Sequence, residues 1–264
     1  MGVRKNVAAL SAAELSSFRQ GIRKVMDLND DRGYQSHAGL HGLPLPIWCH
    51  HGDSLFLPWH RAYLYLFEKA IQDQQPGVAL PWWDWTSSQS HSMGLPQAYT
   101  ESTSGTPTGT PNPLQSSDIR TLSSTDVRNL NRNAPGALAG TVTRPRTVRD
   151  PEAPDDLPRA TTVRSIINNT RTFLDFSSAL ENVHNAVHVW VGGTMSVVPV
   201  AAYDPIFWAH HAMIDRVWYL WQLRHPGVRP PAQILNTALA PFPLTVSQVL
   251  DLGPLGYEYA QQTV

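Results

Sequence analysis

The chain has 264 residues, of which 42% are hydrophobic and 9% aromatic, and its formal net charge at pH 7 is −1. This composition predicts a globular protein with a sizeable core, and the balanced charge without a long basic run argues against nucleic-acid binding. No apolar segment approaches the roughly 20 residues that a bilayer-spanning helix needs, so we expect no membrane partner.

The N-terminal residues 1–20 lack an unbroken apolar segment followed by a small-residue cleavage site, so they do not resemble a secretory signal. We therefore expect a cytoplasmic protein, with export in company with a partner protein as the alternative. The single cysteine, Cys49, cannot form a disulfide within the chain, which agrees with a reducing compartment.

Two helices are predicted in the first third of the chain. Residues 11–28 carry apolar side chains at helical spacing, and Ser11 and Glu14 have the spacing of a capping box. A second helix is predicted over SLFLPWHRAYLYLFEKAIQ, residues 54–72, and it carries His60.

The segment from residue 87 to about residue 160 is rich in Ser, Thr, Gly and Pro and poor in large apolar side chains. It predicts a long irregular surface excursion within a single domain that spans residues 1–264. A loop of this length often shapes or covers a functional site. The basic stretch RPRTVRD, residues 144–150, is interpreted as a solvated part of this excursion.

A helical pattern returns near residue 177 and includes ALENVHNAVHVWVGG. Glu181, His184, Asn185 and His188 share one face there, at positions that usually carry apolar side chains. An unpartnered buried polar group costs about 1–3 kcal/mol, so the pattern predicts that something binds this face. Asp204-Pro205 then predicts the N-cap and first residue of a further helix.

Histidines form the strongest signal in the sequence. His184 and His188 are four residues apart on one helix face, so both can reach one metal ion, and the His210-His211 pair can supply a third imidazole. A matching group is available earlier in the chain, from His41, His51 and His60. Imidazole ligands without a cysteine cluster or carboxylate-rich loop favour copper, zinc or iron, and two matched groups favour a pair of like metals.

Three segments resemble the copper-binding regions of the tyrosinase family, the type-3 copper proteins that include catechol oxidases and molluscan haemocyanins. They are CHHGDSLFLPWHRAYLYLFE, VHNAVHVWVGG and YDPIFWAHHAMIDRVWYLWQ. Arg4 and Tyr257-Glu258-Tyr259 resemble the arginine and Y-x-Y pair that bracket the catalytic core in this family. The resemblance implies a mainly α fold, a four-helix bundle holding a dicopper site, with long irregular loops.

The resemblance also implies the ligands and the chemistry. One copper would be held by His41, His51 and His60, and the other by His184, His188 and His211. The implied activity is oxidation of phenols by dioxygen as co-substrate, through ortho-hydroxylation of monophenols and oxidation of o-diphenols to o-quinones. The expected partners are a small phenolic or o-aminophenolic substrate and a copper-loading chaperone.

Five further residues receive roles from the resemblance. Glu181 and Asn185 would hold a water that deprotonates the phenol. Cys49, two residues before His51, has the spacing at which some relatives form a thioether to that histidine. Val198 stands where some catechol oxidases have a shielding phenylalanine, so it is expected to leave the site open. Asp215 is expected to orient a ligand histidine, through His210.

Three alternatives to a phenol oxidase stay open at this stage. An o-aminophenol oxidase would use the same copper chemistry, and a haemocyanin-type carrier would bind dioxygen reversibly at the same site. A zinc hydrolase would use the same histidines, but the sequence offers no carboxylate at ligand spacing beside them.

Overall fold

The computed structural model describes residues 1–44, 46–104, 109–120, 125, 128 and 146–263. Helices dominate this part of the chain, so the prediction of a mainly α fold is confirmed. In chain order, its strands and α-helices are β1 (Gly2–Arg4), α1 (Ala12–Met26), α2 (Tyr34–Gly39), α3 (Phe56–Gln74), α4 (Ser88–Met93), α5 (Gln97–Thr100), α6 (Ala160–Asn169), α7 (Phe173–Val191), α8 (Ile206–Arg224), α9 (Leu252–Leu255) and β2 (Tyr257–Tyr259).

Short 3-10 helices lie between these elements, at Val7–Ala9, Pro154–Asp156, Gly193–Ser196, Val198–Tyr203, Ala232–Ile234 and Val246–Val249. None of the described helices combines the length and the apolar character needed to cross a membrane.

The long helices α1, α3, α7 and α8 form the bundle. Helix α3 packs against the other three, and α6 covers α7 and α8. In α8, 15 of the 19 residues are buried, which places this helix at the centre because a helix that is buried on every face has no side for solvent. The histidine-bearing helices therefore meet in the middle of the molecule.

Helix starts follow the sequence signals closely. The capping box at α1 is confirmed, with Glu14 N donating to Ser11 Oγ at 3.3 Å and Ser11 N donating to Glu14 Oε2 at 2.8 Å. Helix α8 begins one residue later than predicted, because Pro205 takes the N-cap position. Asp204 still caps the helix, since its Oδ1 accepts a hydrogen bond from Ile206 N at 3.1 Å.

The two ends of the described chain meet in a buried ionic cluster. Strands β1 and β2 pair in parallel, with Arg4 opposite Tyr259. The Arg4 guanidinium lies 3.5 Å from the centroid of the Tyr257 ring and donates to Tyr259 Oη at 3.2 Å, to Asp215 Oδ2 at 3.1 Å and to Glu68. We call this set the Arg4 cluster; its members are Arg4, Arg61, Glu68, Asp215, Tyr257 and Tyr259.

Asp215 is the anion at the centre of the Arg4 cluster. Its Oδ2 accepts from Tyr257 at 2.7 Å and Tyr259 at 2.6 Å, and its Oδ1 accepts from Arg61 at 2.5 Å. Burial opposes ionisation of this carboxyl, but Arg61 and Arg4 outweigh burial and lower its pKa. The prediction that Asp215 orients a histidine was wrong, because these arginines and tyrosines occupy both carboxylate oxygens.

The segment 87–160 is more ordered than an irregular surface excursion. It contains the short helices α4 and α5, and Tyr99 and Leu114 are fully buried. The prediction was wrong for these parts because a few isolated apolar side chains suffice to anchor a chain to an existing core. Residues 105–108, 121–124, 126–127 and 129–145 of the predicted excursion lie outside the described residues.

Candidate metal centre

The second histidine group is built on two helices. His184 and His188 lie one turn apart on α7, and His211 reaches them from α8. The Nε2 atom of His211 lies 3.2 Å from His184 Nε2 and 3.2 Å from His188 Nε2. For metal–imidazole bonds of about 2.0–2.1 Å, nitrogens at this separation subtend an angle of about 100° at the ion. The three imidazoles therefore have the spacing of ligands around one metal.

These facing nitrogens cannot satisfy one another. His188 Nδ1 donates to the Met195 carbonyl at 2.8 Å, and His184 Nδ1 donates to Asn185 Oδ1 at 2.9 Å. Both histidines of α7 therefore present an Nε2 lone pair. His211 Nε2 has at most one proton to donate, so at least one contact sets two lone pairs against each other. A cation bound between the three rings removes this repulsion.

The first histidine group combines one helix with two loops. His41 follows α2, His51 precedes α3, and His60 lies in α3. One ring nitrogen from each lies within 4.8 Å of the others. His41 Nδ1 donates to the Val198 carbonyl at 2.6 Å and His60 Nδ1 to the Phe56 carbonyl at 2.8 Å. Their Nε2 atoms are buried and find no hydrogen-bond partner within the described part of the chain.

Burial keeps the histidines neutral, which is the form that binds a metal. Desolvation lowers the pKa of His51 and of His188 from 6.5 to about 4. Burial is also the main reason why the pKa values of the other four predicted ligands lie well below 6.5. These ligands are His41, His60, His184 and His211. Protons therefore compete weakly with a metal at neutral pH.

The two groups adjoin within the bundle. The His60 ring stacks on the His211 ring with centroids 4.6 Å apart, and His51 stacks on His184 at 5.6 Å. Within α8, the Phe207 ring stacks on the His211 ring at 3.9 Å. Sequence reasoning missed Phe207, although its position one turn before His211 could have indicated it.

His210 is a further histidine of the second group. Its ring is fully buried and stacks on the His184 ring with centroids 5.2 Å apart. The sequence left open which of His210 and His211 points inward, and the resemblance chose His211. His211 makes the 3.2 Å contacts to both histidines of α7, while both ring nitrogens of His210 are buried and find no hydrogen-bond partner within the described residues, so the choice of His211 stays a prediction.

Glu181 and Asn185 lie on α7 beside the centre. Glu181 is 7% exposed, and its Oε1 accepts a hydrogen bond from Gly52 N at 2.6 Å, which ties α7 to the loop that carries His51. Burial raises the pKa of Glu181. Asn185 is exposed and contacts His184. Their role in holding a water stays a prediction.

Cys49 and Val198 flank the first group. Cys49 Sγ lies 3.5 Å from His51 Nδ1, and burial raises the pKa of this thiol to about 12. The thioether stays a prediction. Val198 is 44% exposed while its carbonyl holds His41, so its side chain borders solvent next to a ligand.

The donor atoms decide which metals fit. Within the described residues, the two groups that converge here consist of histidines alone. Calcium and magnesium need oxygen ligands, whereas imidazole suits copper, zinc and iron. The unpartnered Nε2 atoms and the facing lone pairs fit a pair of such ions.

Comparisons with known proteins show the family to which the chain belongs. A family model, the common central domain of tyrosinase, matches residues 31–224. The tyrosinase of Streptomyces antibioticus is 32% identical over 265 aligned residues, which cover 92% of this chain and 93% of that protein. Hemocyanin units G and H of Sepia officinalis are 32% identical over 233 residues, which cover 83% of this chain but only 37% of that protein.

Comparison of the fold with solved structures agrees with the sequence comparisons. The functional unit of octopus hemocyanin matches with a TM-score of 0.80 and 28% identity, covering 100% of this chain and 69% of that chain. All six predicted ligands lie inside the region that the family model matches. The chain therefore belongs to the tyrosinase family of type-3 copper proteins, and its two histidine groups fit the dicopper centre of that family.

Proposed function

We propose that the protein oxidises small phenols with dioxygen, through ortho-hydroxylation of monophenols and oxidation of o-diphenols to o-quinones. The observation that carries the proposal is the exposed aliphatic border of the metal centre. Val198 is 44% exposed, although its own carbonyl binds the ligand His41. An aliphatic surface beside the ligands suits the flat apolar face of an aromatic ring.

Ile47 extends this border from a second loop. It is 43% exposed, and a Cβ placed on Gly42, the neighbour of His41, would lie 3.3 Å from Ile47 Cγ1 and 2.9 Å from the Cα of Pro199. Ile47 and Pro199, the residue after Val198, therefore both lie close to Gly42, next to His41. A carrier of dioxygen has no need of an apolar surface of this kind, whereas a phenol oxidase does.

When bound, the copper pair supplies the redox chemistry with dioxygen. The protein must supply a base, because a phenol has a pKa near 10 and its phenolate is scarce at neutral pH. We assign this role to a water held by Glu181 and Asn185. Burial raises the pKa of Glu181, so its carboxylate accepts a proton more readily than an exposed one, and only one of its oxygens is bound by Gly52 N.

A second candidate function is reversible dioxygen carriage. It is favoured by the 32% identity to the Sepia officinalis hemocyanin, which equals the identity to the Streptomyces antibioticus tyrosinase. Oxidation of o-aminophenols would use the same copper chemistry on a related substrate. Loading by a copper chaperone stays a prediction.

Oxygen uptake separates these functions. The copper-loaded protein is supplied with phenol, catechol and o-aminophenol in parallel, and sustained uptake with phenol and with catechol is expected. Val198→Phe should slow oxygen uptake with phenol, because the larger ring covers the exposed border. Its copper content should stay unchanged. Reversible oxygen binding without consumption in the presence of catechol would replace the proposal by the carrier function, and uptake with o-aminophenol alone would replace it by the third.

A further inference from the structure

Residues 146–152, which we call the strap, run alongside the second histidine group. Its residues 146–150 belong to the basic stretch, residues 144–150, for which the sequence predicts a solvated loop. That interpretation holds for Arg146, which forms an exposed ion pair with Asp118, and was wrong for Arg149, whose side chain is 9% exposed. A buried arginine in this place needs a structural reason.

On one side the strap is bonded to the end of α7. The Val148 carbonyl accepts from Thr194 N at 2.8 Å, and Val148 N donates to Thr194 Oγ1 at 2.9 Å. Asp150 N donates to the Val191 carbonyl at 3.0 Å. The next residue after Thr194 is Met195, whose carbonyl accepts the Nδ1 proton of His188. The strap therefore fixes the turn that orients one copper ligand.

Two glycines allow the strap to approach this closely. Gly192 and Gly193 have φ values of 68° and 54°, a region that side-chain-bearing residues rarely adopt. A Cβ on Gly192 would lie 2.3 Å from the Asp150 carbonyl oxygen, and a Cβ on Gly193 would lie 2.3 Å from that of Val148. No residue larger than glycine fits while the strap stays in place.

On the other side, Arg149 connects the strap to the start of α8. Its Nε donates to both oxygens of Asp204, at 3.0 and 2.9 Å. Its Nη1 donates to the Tyr99 carbonyl at 2.7 Å, and its Nη2 donates to the Leu114 carbonyl at 2.9 Å. This planar fork of donors serves three chain segments at once, which lysine cannot do.

Asp204 connects Arg149 to α8, the helix that carries His211. It is fully buried, and its Oδ1 caps α8 through Ile206 N while its carbonyl accepts from Phe207 N at 2.9 Å. Helix α8 carries His211, on which the Phe207 ring stacks. The strap thus contacts both the turn that orients His188 and the N-terminus of the helix that carries His211.

We propose that Arg149 is a positioning residue of the second copper site, holding His188 and His211 at their mutual distance through the strap. The first site meets the strap less directly, since only His41 is held by the anchored segment 195–204, through the Val198 carbonyl, whereas His51 and His60 lie before and in α3. Loss of Arg149 therefore weakens copper binding at the second site by about 10- to 100-fold, the usual effect of removing a group that orients a ligand. Copper binding at the first site falls less, because two of its three ligands do not depend on the anchored segment.

Single-site backgrounds make this selectivity measurable. His60→Ala leaves the second site, and His188→Ala leaves the first. In each background, the affinity for copper(I) is measured by competition with a chromophoric chelator, with and without Arg149→Met. The expected result is a loss of about 10-fold or more in the His60→Ala background and a clearly smaller loss in the His188→Ala background. Arg146→Met, on the exposed face of the strap, is the matched control and should change neither affinity.

Two further variants separate positioning from general destabilisation. Gly193→Ala displaces Val148 of the strap on the side that faces away from Arg149. It should reproduce the larger loss of copper affinity at the second site. Arg149→Lys keeps the charge but loses the fork, so its copper affinity should lie between those of the parent and Arg149→Met. Equal losses in both backgrounds, or an unchanged second-site affinity in the folded Arg149→Met protein, would overturn the proposal.

Discussion

Two polar clusters are buried in the same bundle, and they differ in whether their polar atoms find partners. In the Arg4 cluster, both oxygens of Asp215 accept hydrogen bonds from arginines and tyrosines. In the dicopper centre, the Nε2 atoms of His41 and His60 find no partner among the described residues, and the Nε2 atoms of the second group face one another.

This difference separates a structural cluster from a functional one. In a satisfied buried cluster, removing one member leaves an uncompensated charge and destabilises the fold. An unsatisfied one costs stability until a ligand arrives. Burial alone therefore does not mark the active centre, whereas the convergence of several buried imidazole nitrogens that lack partners among the described residues does. The four predictions below treat the two clusters differently, in order of decreasing effect.

The largest effect is expected from His188→Ala. It removes a ligand of the second site, so copper-dependent oxidation should be lost and the copper content should fall from two ions to one per chain. Oxygen uptake with catechol and metal analysis measure the two effects. Full activity in this variant would show that His188 is not a ligand.

Asp215→Asn should affect stability and leave copper binding intact. It leaves Arg4 and Arg61 buried without their shared anion, so we expect a loss of about 3–5 kcal/mol in the free energy of unfolding, measured with urea. Asp118→Asn breaks an exposed ion pair and should cost less than about 1 kcal/mol. A lost copper ion in folded Asp215→Asn protein would contradict the distinction between the clusters.

The metal-free protein should lose stability as the pH falls. The pKa values of His51 and His188 are about 4 in the folded chain and near 6.5 when unfolded, so between these values only the unfolded state takes up protons. Each such histidine adds a slope of up to about 1.4 kcal/mol per pH unit, with stability increasing towards pH 6.5. Urea unfolding of the chelated protein across this range measures the slope, and His188→Ala should make it shallower. If His188→Ala left the slope unchanged, this would contradict the argument that burial lowers the pKa of His188.

Asn185→Ala should have the smallest effect on turnover per bound copper pair, and a selective one; rates are compared at equal copper content because Asn185 Oδ1 also accepts from Nδ1 of the ligand His184. If Asn185 orients the water that deprotonates a phenol, hydroxylation of a monophenol should fall more than oxidation of a diphenol, which is the more acidic and more easily oxidised substrate. Parallel turnover rates with phenol and catechol test this. An equal loss of both rates would remove the proposed role.

Sequence reasoning worked where function depends on local spacing. His184 and His188 are four residues apart, so one helix places both imidazoles on one face, and a capping box places the start of α1 within one residue. The fold class and the dicopper centre followed from the three segments that resemble tyrosinases. These signals are all confined to short stretches of chain.

Sequence reasoning failed where the hydrogen-bond partners of a residue are distant along the chain. Asp215 lies one turn from His211, which suggested a histidine partner, but its real partners include Arg61 and Arg4, at separations of 154 and 211 residues. Arg149 sits in a basic, polar stretch whose composition resembles a solvated loop. Its burial depends on Asp204 and on carbonyls from two other segments, which no local pattern encodes.

The most direct test of the dicopper assignment is the copper content of the chain at saturation, measured with dialysed protein by atomic absorption beside oxygen uptake with catechol. Two copper ions per chain with sustained uptake are predicted, because each histidine group offers three converging nitrogens. A single copper ion per chain, or zinc retained in both groups in preference to copper, would contradict the account.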